Sequence, residues 1–297
     1  MTLSVVIITH NEEANLGRTL ESVRALVSGG KGEIIVVDSG STDRTVEIAK
    51  SFGAKVFVEE WKGYAAQKNS AIDKATGDWT LSLDADEEVE QPLAVEIAAR
   101  FPSTRPDQAE LLERAKQSRY LITRQSVREF KKLAREKGLT EGGIFATVTG
   151  FWISRKNEFL GRRIRHGGFW PDPKLRLFRK GMARFEERVV HEDAKLIDGI
   201  SGRLKGALIH HSYPTLSDYI EHMNRYSSLG AEMVVAKGKV RFSAINIVLR
   251  PLATFVYNYV FRLGFLDGRE GLLLHLYHAV YVSWKYAKAW ELSRKQQ

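Results

Sequence analysis

The residues best suited to chemistry in this 297-residue chain are two carboxylates separated by one small residue, Asp84-Ala85-Asp86. In an extended segment residues i and i+2 share a face about 7 Å apart along the backbone, so both carboxylates can address one ligand. Hard oxygen donors of this kind suit Mg²⁺ or Mn²⁺, ions that keep several waters and complete their octahedron with phosphate oxygens. Such an ion acts as a Lewis acid on a departing nucleoside diphosphate, where negative charge grows as the bond breaks. Taken alone, the same pair also describes a solvated acidic turn, and its surroundings decide between the two.

Several other chemistries are excluded by residue type. With no cysteine there is no disulfide scaffold, no thiolate metal site and no thiol nucleophile. The first βα turn reads Thr9-His10-Asn11-Glu12-Glu13 where a dinucleotide fold needs G-x-G-x-x-G, and neither G-x-x-x-x-G-K-[ST] nor H-E-x-x-H occurs. The excess of 45 Lys and Arg over 36 Asp and Glu, a net charge of +9, suits phosphate, nucleic acid or an anionic membrane without choosing among them.

The elements that must position the carboxylates follow from periodicity. The near-continuous apolar run Ser4 to Thr9 predicts a strand covered on both faces. A helix is expected from about Ala14 to Val27, and a second strand over Glu33 to Val37. That strand ends in the polar turn Asp38 to Asp43, whose carboxylates can also serve simply to cap a helix over Arg44 to Phe52. A strand at Lys55 to Val58, a helix at Tyr64 to Ala75 closed by Gly77, and a strand at Trp79 to Leu83 running into Asp84-Ala85-Asp86-Glu87 complete a βαβ rhythm. Each acidic turn thus falls at the carboxyl end of a parallel strand, where open α/β sheets hold their ligands.

Beyond this, residues 104–138 read as a basic helical insertion, Ile144 to Ser154 and Leu175 to Phe178 as strands, and the region from Ser217 onward as helical. The expected class is α/β, a mostly parallel sheet with helices on both faces and a helical C-terminal extension. It divides into residues 1–215, carrying the insertion, and 216–297. The opening Met1 to Thr9 has no cationic n-region and its apolar run is short, which reads as a cytoplasmic start. The longest apolar tract, Phe242 to Leu266, is interrupted by Asn246, Arg250, Pro251, Asn258 and Arg262, so it is expected to lie on a bilayer without crossing it. From Lys239 to Gln297 basic residues alternate with Tyr, Phe and Trp, as in interfacial surfaces drawn to anionic lipid headgroups. The same mixture can stack on single-stranded nucleic acid, although no RRM or OB pattern accompanies it, or form a packed helical tail with a wet basic face.

Four ordered blocks, Val5 to Glu12, Ile34 to Asp43, Gly63 to Asn69 and Asp78 to Glu87, resemble those of family 2 glycosyltransferases with the GT-A fold. More narrowly, Gly161 to Gly168, Lys174 to Arg179, Val190-His191-Glu192 and Gly264 to Gly268 resemble the bacterial branch that glucosylates the inner core of lipopolysaccharide. The resemblance covers nearly the whole chain apart from 104–138. It implies an inverting, metal-dependent transfer of glucose from a UDP-sugar donor to an inner-core heptose of a lipid-linked saccharide. The enzyme would sit peripherally on the cytoplasmic face of the inner membrane, with no nucleic-acid partner. The rival readings are a transferase acting on polyprenyl phosphate or an exopolysaccharide intermediate, and a non-catalytic nucleotide- or nucleic-acid-binding protein.

Carried over position by position, the resemblance implies that Thr9, Asn11 and Glu12 line the nucleotide pocket. Asp38 would accept a hydrogen bond from uracil, Lys68 would lie near base and phosphate, Asp84 would touch ribose or sugar, and Asp86 would hold the cation. Glu192 aligns with the acidic residue that deprotonates the acceptor hydroxyl, and burial can lift a carboxylate toward the pKa this requires. His191 beside it, together with His166 and Trp170 of the glycine-rich loop, reads as acceptor-binding. In His210-His211-Ser212-Tyr213, which follows a strand-like Gly206 to Ile209, His211 is the candidate second metal ligand.

Overall fold

The computed structural model describes residues 1–99, 148–186, 193–238 and 240–295. β1 (Leu3–Thr9) is buried along almost its entire length because parallel strands flank it on both sides, β2 (Gly32–Asp38) and β4 (Trp79–Asp84). β3 (Lys55–Val58) continues the parallel part beyond β2. Side chains of a strand alternate between faces, and here the alternation feeds two separate cores. Val5 and Ile7, with Ile34 and Val36, pack on Leu16, Leu20 and Val23 of α1 (Leu16–Val27) and on Leu93 and Ile97 of α4 (Gln91–Ala98). Val6, Ile35 and Val37 face the other way, onto Ala65, Ala71 and Ile72 of α3 (Tyr64–Asp73). α2 (Thr45–Ser51) adds Ala49 to the first core. Helices therefore cover both faces, as expected.

The sheet runs β3-β2-β1-β4-β8-β6-β11-β5, where β5 is Glu87–Val89, β6 Val148–Phe159, β8 Asp172–Arg179 and β11 Ile200–Tyr213. β8 joins β4 antiparallel, and the short β7 (Arg162–Arg163) pairs antiparallel with β6. β9 (Ala183–Phe185) and β10 (Ala194–Leu196) form a separate antiparallel pair. Register places Thr9 opposite Asp38 and Ile8 opposite Asp84, so the carboxyl ends of β1, β2 and β4 lie level.

Two expectations change. α3 ends at Asp73 with Lys74 as its cap, so Gly77 does not close the helix. Gly77 is required instead by close approach to β1: a Cβ there would stand 2.8 Å from the Ser4 amide nitrogen, and the Gly77 N–H donates to Ser4 Oγ at 2.9 Å. β11 extends through Tyr213, so His210 and His211 belong to a strand and do not follow one. The insertion expected over 104–138 lies outside the described residues, and among those residues the strand expected from Ile144 begins at Val148.

The chain separates into two compact units. The first comprises 1–155, 173–187 and 192–209, and the second 156–172, 188–191 and 210–297. The second unit is mainly helical. Its α5 (Leu216–Val235) starts at a capping box in which Asp218 N–H donates to Thr215 Oγ1 at 3.1 Å and Thr215 N–H donates to Asp218 Oδ2 at 3.0 Å. A helical rod over 245–261 follows, with α6 (Arg250–Val256) between π-helical turns at Ile245–Leu249 and Tyr257–Phe261. A 3₁₀ turn, Gly264–Asp267, leads into α7 (Gly268–Lys295). Among the described residues no helix is long and apolar enough to cross a membrane.

Gly77→Ala tests the close approach. The added methyl has to displace backbone, so unfolding free energy falls by about 1–3 kcal/mol, read as a lower urea midpoint with an unchanged slope.

Candidate active site

Asp38, at the carboxyl end of β2, is buried, and its carboxylate organises the turn after the strand. Oδ1 accepts from Thr9 Oγ1 at 2.9 Å and from Ser41 Oγ at 2.5 Å, while Oδ2 accepts from the Gly40 and Ser41 N–H groups at 2.9 and 2.8 Å. All four acceptor positions of the carboxylate are therefore filled by the protein. A uracil N–H would have to displace one of these donors to bind Asp38 directly. Asn11 ties the neighbouring turn across: its Oδ1 accepts from Thr42 N–H at 2.8 Å, and its own N–H donates to Ser41 Oγ at 2.8 Å. Asn11 adopts φ 54°, left-handed backbone that asparagine tolerates better than most residues.

Asp84 and Asp86 have different surroundings. Asp84 is paired with Lys68 at 2.8 Å, with Arg155 at 3.9 Å and, most closely, with Arg176 from β8. Arg176 also reaches Glu87 at 2.6 Å, Arg155 reaches Glu87 at 3.3 Å, and Glu87 Oε2 accepts from the Asp84 N–H at 3.1 Å. Glu87 is fully buried and Arg176 only 3% exposed. Burial by itself would raise the Asp84 carboxyl; Arg176, Lys68 and Arg155 outweigh it and hold the group well below the usual carboxylate range. Lys68 is buried too, with its ammonium 5.0 Å from the centre of the Phe185 ring.

Asp86 belongs to an acidic neighbourhood. The Glu12 carboxyl is pushed up, first by burial and then, against a lowering hydrogen bond from Asn15, by the negative charges of Asp86, Asp43 and Asp84. Asp43 accepts from the N–H and hydroxyl of Thr45 at 3.0 and 2.5 Å; the N-cap of α2 is Arg44, so Asp43 stands one residue ahead of the cap and shapes the turn that leads into the helix. Among the described residues no group of three or more His, Asp or Glu forms a metal cage.

Glu192 and His191 lie outside the described residues. The strands on either side of them are held firmly. Asn69 on α3 clamps the end of β9, donating to the Phe185 carbonyl at 2.9 Å and accepting from its N–H at 2.9 Å.

The remaining expected site residues fall in the second unit. His166 Nδ1 lies 3.0 Å from Asp267 Oδ1, and the same carboxylate accepts from the Arg165 and His166 N–H groups at 3.1 and 2.8 Å. The glycines beside His166 answer to the helices: a Cβ on Gly167 would meet the His275 ring at 2.0 Å, and one on Gly168 the Arg262 guanidinium at 2.1 Å. The Trp170 ring carries the Arg163 guanidinium at 4.8 Å. His211 Nδ1 is 2.8 Å from Glu158 Oε2, while His210, pointing to the other face of β11, bonds Asn157 Oδ1 at 2.7 Å and Ser212 Oγ at 2.8 Å.

Residues 4–157 match the family described as Glycosyl transferase family 2. The chain is also 31% identical over 304 residues to an uncharacterized glycosyltransferase of Rickettsia typhi, spanning 99% of this chain and 89% of that protein. The protein belongs to glycosyl transferase family 2. It is a glycosyltransferase, and its α/β sheet with helices on both faces is the GT-A architecture that membership implies. It is 26% identical to the lipopolysaccharide core biosynthesis glycosyltransferase LpsC of Rhizobium meliloti, over 98% of this chain and 93% of that one. A solved structure, glucosyl-3-phosphoglycerate synthase from Mycobacterium tuberculosis in complex with Mn²⁺, UDP and glucosyl-3-phosphoglycerate, is 33% identical over 29% of this chain and 34% of its own. At a TM-score of 0.27 it does not bear on the fold or ligands here.

Within this family 2 chain, Arg155, Arg176 and Glu87, together with Asp267 in the second unit, hold site residues in place although no motif assigns them a role. Arg176 carried a signal: it is a cation in the middle of the apolar strand Leu175-Arg176-Leu177-Phe178, a placement that requires a buried partner. The partner, 92 residues away, is set by the β4–β8 pairing.

Arg176→Gln leaves two carboxylates short of countercharge in a buried site, and is expected to cost about 3–5 kcal/mol near neutral pH. In the native protein the depressed Asp84 pKa contributes stability that is present above the unfolded-state value and lost as pH falls through the folded one. The variant carboxyl titrates nearer its unfolded-state value, so the variant loses less stability on acidification than the native protein, and the two stabilities converge in acid.

Proposed function

We propose that the protein transfers a sugar from a UDP-sugar to a saccharide with inversion, using a divalent cation held at Asp86. The observation that carries this reading is the split between the two carboxylates of Asp84-Ala85-Asp86. Asp84 is neutralised by Lys68, Arg155 and Arg176, while Asp86 adds its charge to Glu12 and Asp43 at the level carboxyl ends of β1 and β2. Hard oxygen donors at a point of accumulated negative charge fit Mg²⁺ or Mn²⁺, and one or two carboxylates suffice for an ion that takes its remaining ligands from phosphate and water. When bound, the cation stabilises negative charge on the leaving diphosphate.

The chain's own residues do the rest. The Asp38 turn and Asn11 frame the carboxyl end of β2, Thr9 binds the Asp38 carboxylate, and Arg176, Lys68 and Arg155 keep Asp84 ionised for a ribose or sugar hydroxyl. Glu192 removes the acceptor proton while the acceptor oxygen bonds to the sugar carbon and the carbon–phosphate oxygen bond breaks, its electron pair leaving with UDP. Support for Glu192 comes from the resemblance of Val190-His191-Glu192 to the block that carries the acidic base in this family. His211, with Glu158 beside it, is a further candidate metal ligand by the resemblance, and His166, Trp170 and His191 are candidate acceptor contacts. Similarity to LpsC favours the lipopolysaccharide core as acceptor; glucose as the sugar, an inner-core heptose as its target and the cytoplasmic face of the membrane as the place rest on the resemblance of the blocks around His166 and Asp267.

The test is a panel of UDP-sugars with core oligosaccharide or polyprenyl phosphate as acceptor, scored for released UDP with and without chelator. Chelation is expected to abolish turnover. Asp86→Asn should lower kcat by at least about 10²-fold, and Glu192→Gln by roughly 10²- to 10⁴-fold. Turnover that survives EDTA and Asp86→Asn removes the cation from the mechanism; transfer to polyprenyl phosphate alone reassigns the acceptor.

A further inference from the structure

The helical rod over 245–261 is built against the usual rule for a water-exposed helix. Its inner edge lies along α7: Ser283 Oγ donates to the Ile247 carbonyl at 2.8 Å, Arg250 bonds Tyr286, and the Tyr259 ring lies 6.2 Å from that of His275. Only Pro251 in the rod is buried. The outward positions Ile245, Val248, Leu249, Leu252, Val256 and Val260 recur at i+3, i+4, i+7, i+11 and i+15, which is one helical stripe, and every one of them is apolar and exposed. Ile245 is 66% exposed and Phe261, at the end of the rod, 73%. The turn beyond it keeps Phe265 and Leu266 exposed as well. An apolar surface of this length, continuous along a helix, is a contact surface for something.

Charge chooses the occupant. Between Glu232 and Asp267 the chain contains no acidic residue, and Asp267 itself is buried against His166. The basic residues Arg241 and Arg262 are exposed at the two ends of the stripe, with Arg269 exposed just beyond; Arg250, within the rod, is exposed as well but its guanidinium is turned to Tyr286 on the edge along α7. A two-fold contact with a second copy would bring these arginines together with no carboxylate opposite. A phospholipid leaflet supplies what the surface lacks: acyl chains for the stripe and phosphate for the arginines at its ends, with Tyr257 and Phe261 at the level where aromatic side chains settle.

We infer that the rod 245–261 inserts its apolar stripe into one leaflet of a phospholipid bilayer, anchoring the protein monotopically by acyl-chain contact and not by headgroup charge alone. This deepens, and rests on, the reading that the protein works at a membrane surface. The two mechanisms differ in their response to salt. Headgroup attraction is screened as the Debye length falls from roughly 10 Å at about 0.1 M to roughly 3 Å at about 1 M salt, whereas apolar insertion persists.

The full-length protein is floated with phosphatidylcholine vesicles and with vesicles that also contain phosphatidylglycerol, at low and high salt. Binding to both compositions that survives high salt is expected. Leu252→Asp with Val256→Asp, both at exposed positions, should cut partitioning by at least roughly tenfold while circular dichroism and thermal melting stay unchanged. The absence of native cysteine allows a second readout. Leu252→Cys carrying a nitrobenzoxadiazole label should blue-shift and gain intensity on vesicles, whereas the same label at exposed Ser51 in the first unit should not. Binding that is confined to anionic vesicles and reversed by salt overturns insertion while leaving the membrane location standing. No binding to either vesicle overturns both. A salt-stable dimer in lipid-free solution that Leu252→Asp dissociates also overturns the inference, since the stripe would then be a protein interface. UDP-sugar hydrolysis in solution is scored separately, so failure of the catalytic reading is not mistaken for failure of this one.

Discussion

Arg176 decides the character of the site. A guanidinium placed inside a sheet has to be matched by carboxylates, and the ones available are Asp84, where β4 ends, and Glu87, where β5 begins. Their pairing fixes the turn between these strands from within, with Lys68 and Arg155 completing the neutralisation. Desolvation of so many charges is expensive unless each finds a partner, and here each does. The consequence for chemistry is an asymmetry inside a three-residue motif. One carboxylate is held ionised by three cations, and the charge of the other is among those that lift Glu12.

The Asp38 turn shows the same principle with neutral donors. A buried carboxylate saturated by two hydroxyls and two N–H groups makes the loop after β2 a fixed shape, and Thr9 links that loop to the neighbouring strand. Level strand ends follow from parallel register, and rigid turns from saturated carboxylates. Together they preorganise a surface at the carboxyl ends of the sheet, where little reorganisation remains when a ligand arrives.

The second unit repeats the device once and then departs from it. Asp267, buried, gathers two backbone N–H groups and the His166 ring, so that two segments 101 residues apart in the chain become one structure. His275 packs beside it with its pKa pushed down to about 4, chiefly by burial, which keeps the ring neutral in this apolar setting. The rod that follows carries its apolar residues outward. Within one unit, then, a buried carboxylate is saturated with donors while apolar groups are exposed where water is not the intended neighbour.

How much of this was legible follows from the range of each interaction. The strands at β1 to β4 and helices α1 to α3 were readable because apolar periodicity is local: Leu16, Leu20 and Val23 declare a helix face, and Val5 to Ile8 a strand covered on both sides, whatever lies around them. The blocks Ile34 to Asp43 and Asp78 to Glu87 declared the family for the same reason. Sequence spacing could not reveal that Arg176 would neutralise Asp84, that Gly77 answers to Ser4 rather than to its own helix, or that Gly167 and Gly168 make room for His275 and Arg262. Those contacts join residues 73 to 108 positions apart, and their partners are chosen by strand order and helix packing. Local pattern was enough for β1 to β4, the helices between them and the acidic turns at the strand ends. That Arg176 closes on Asp84 and Glu87 came from the β4–β8 pairing, because electrostatic pairing depends on distance in space and the chain's local pattern does not encode it.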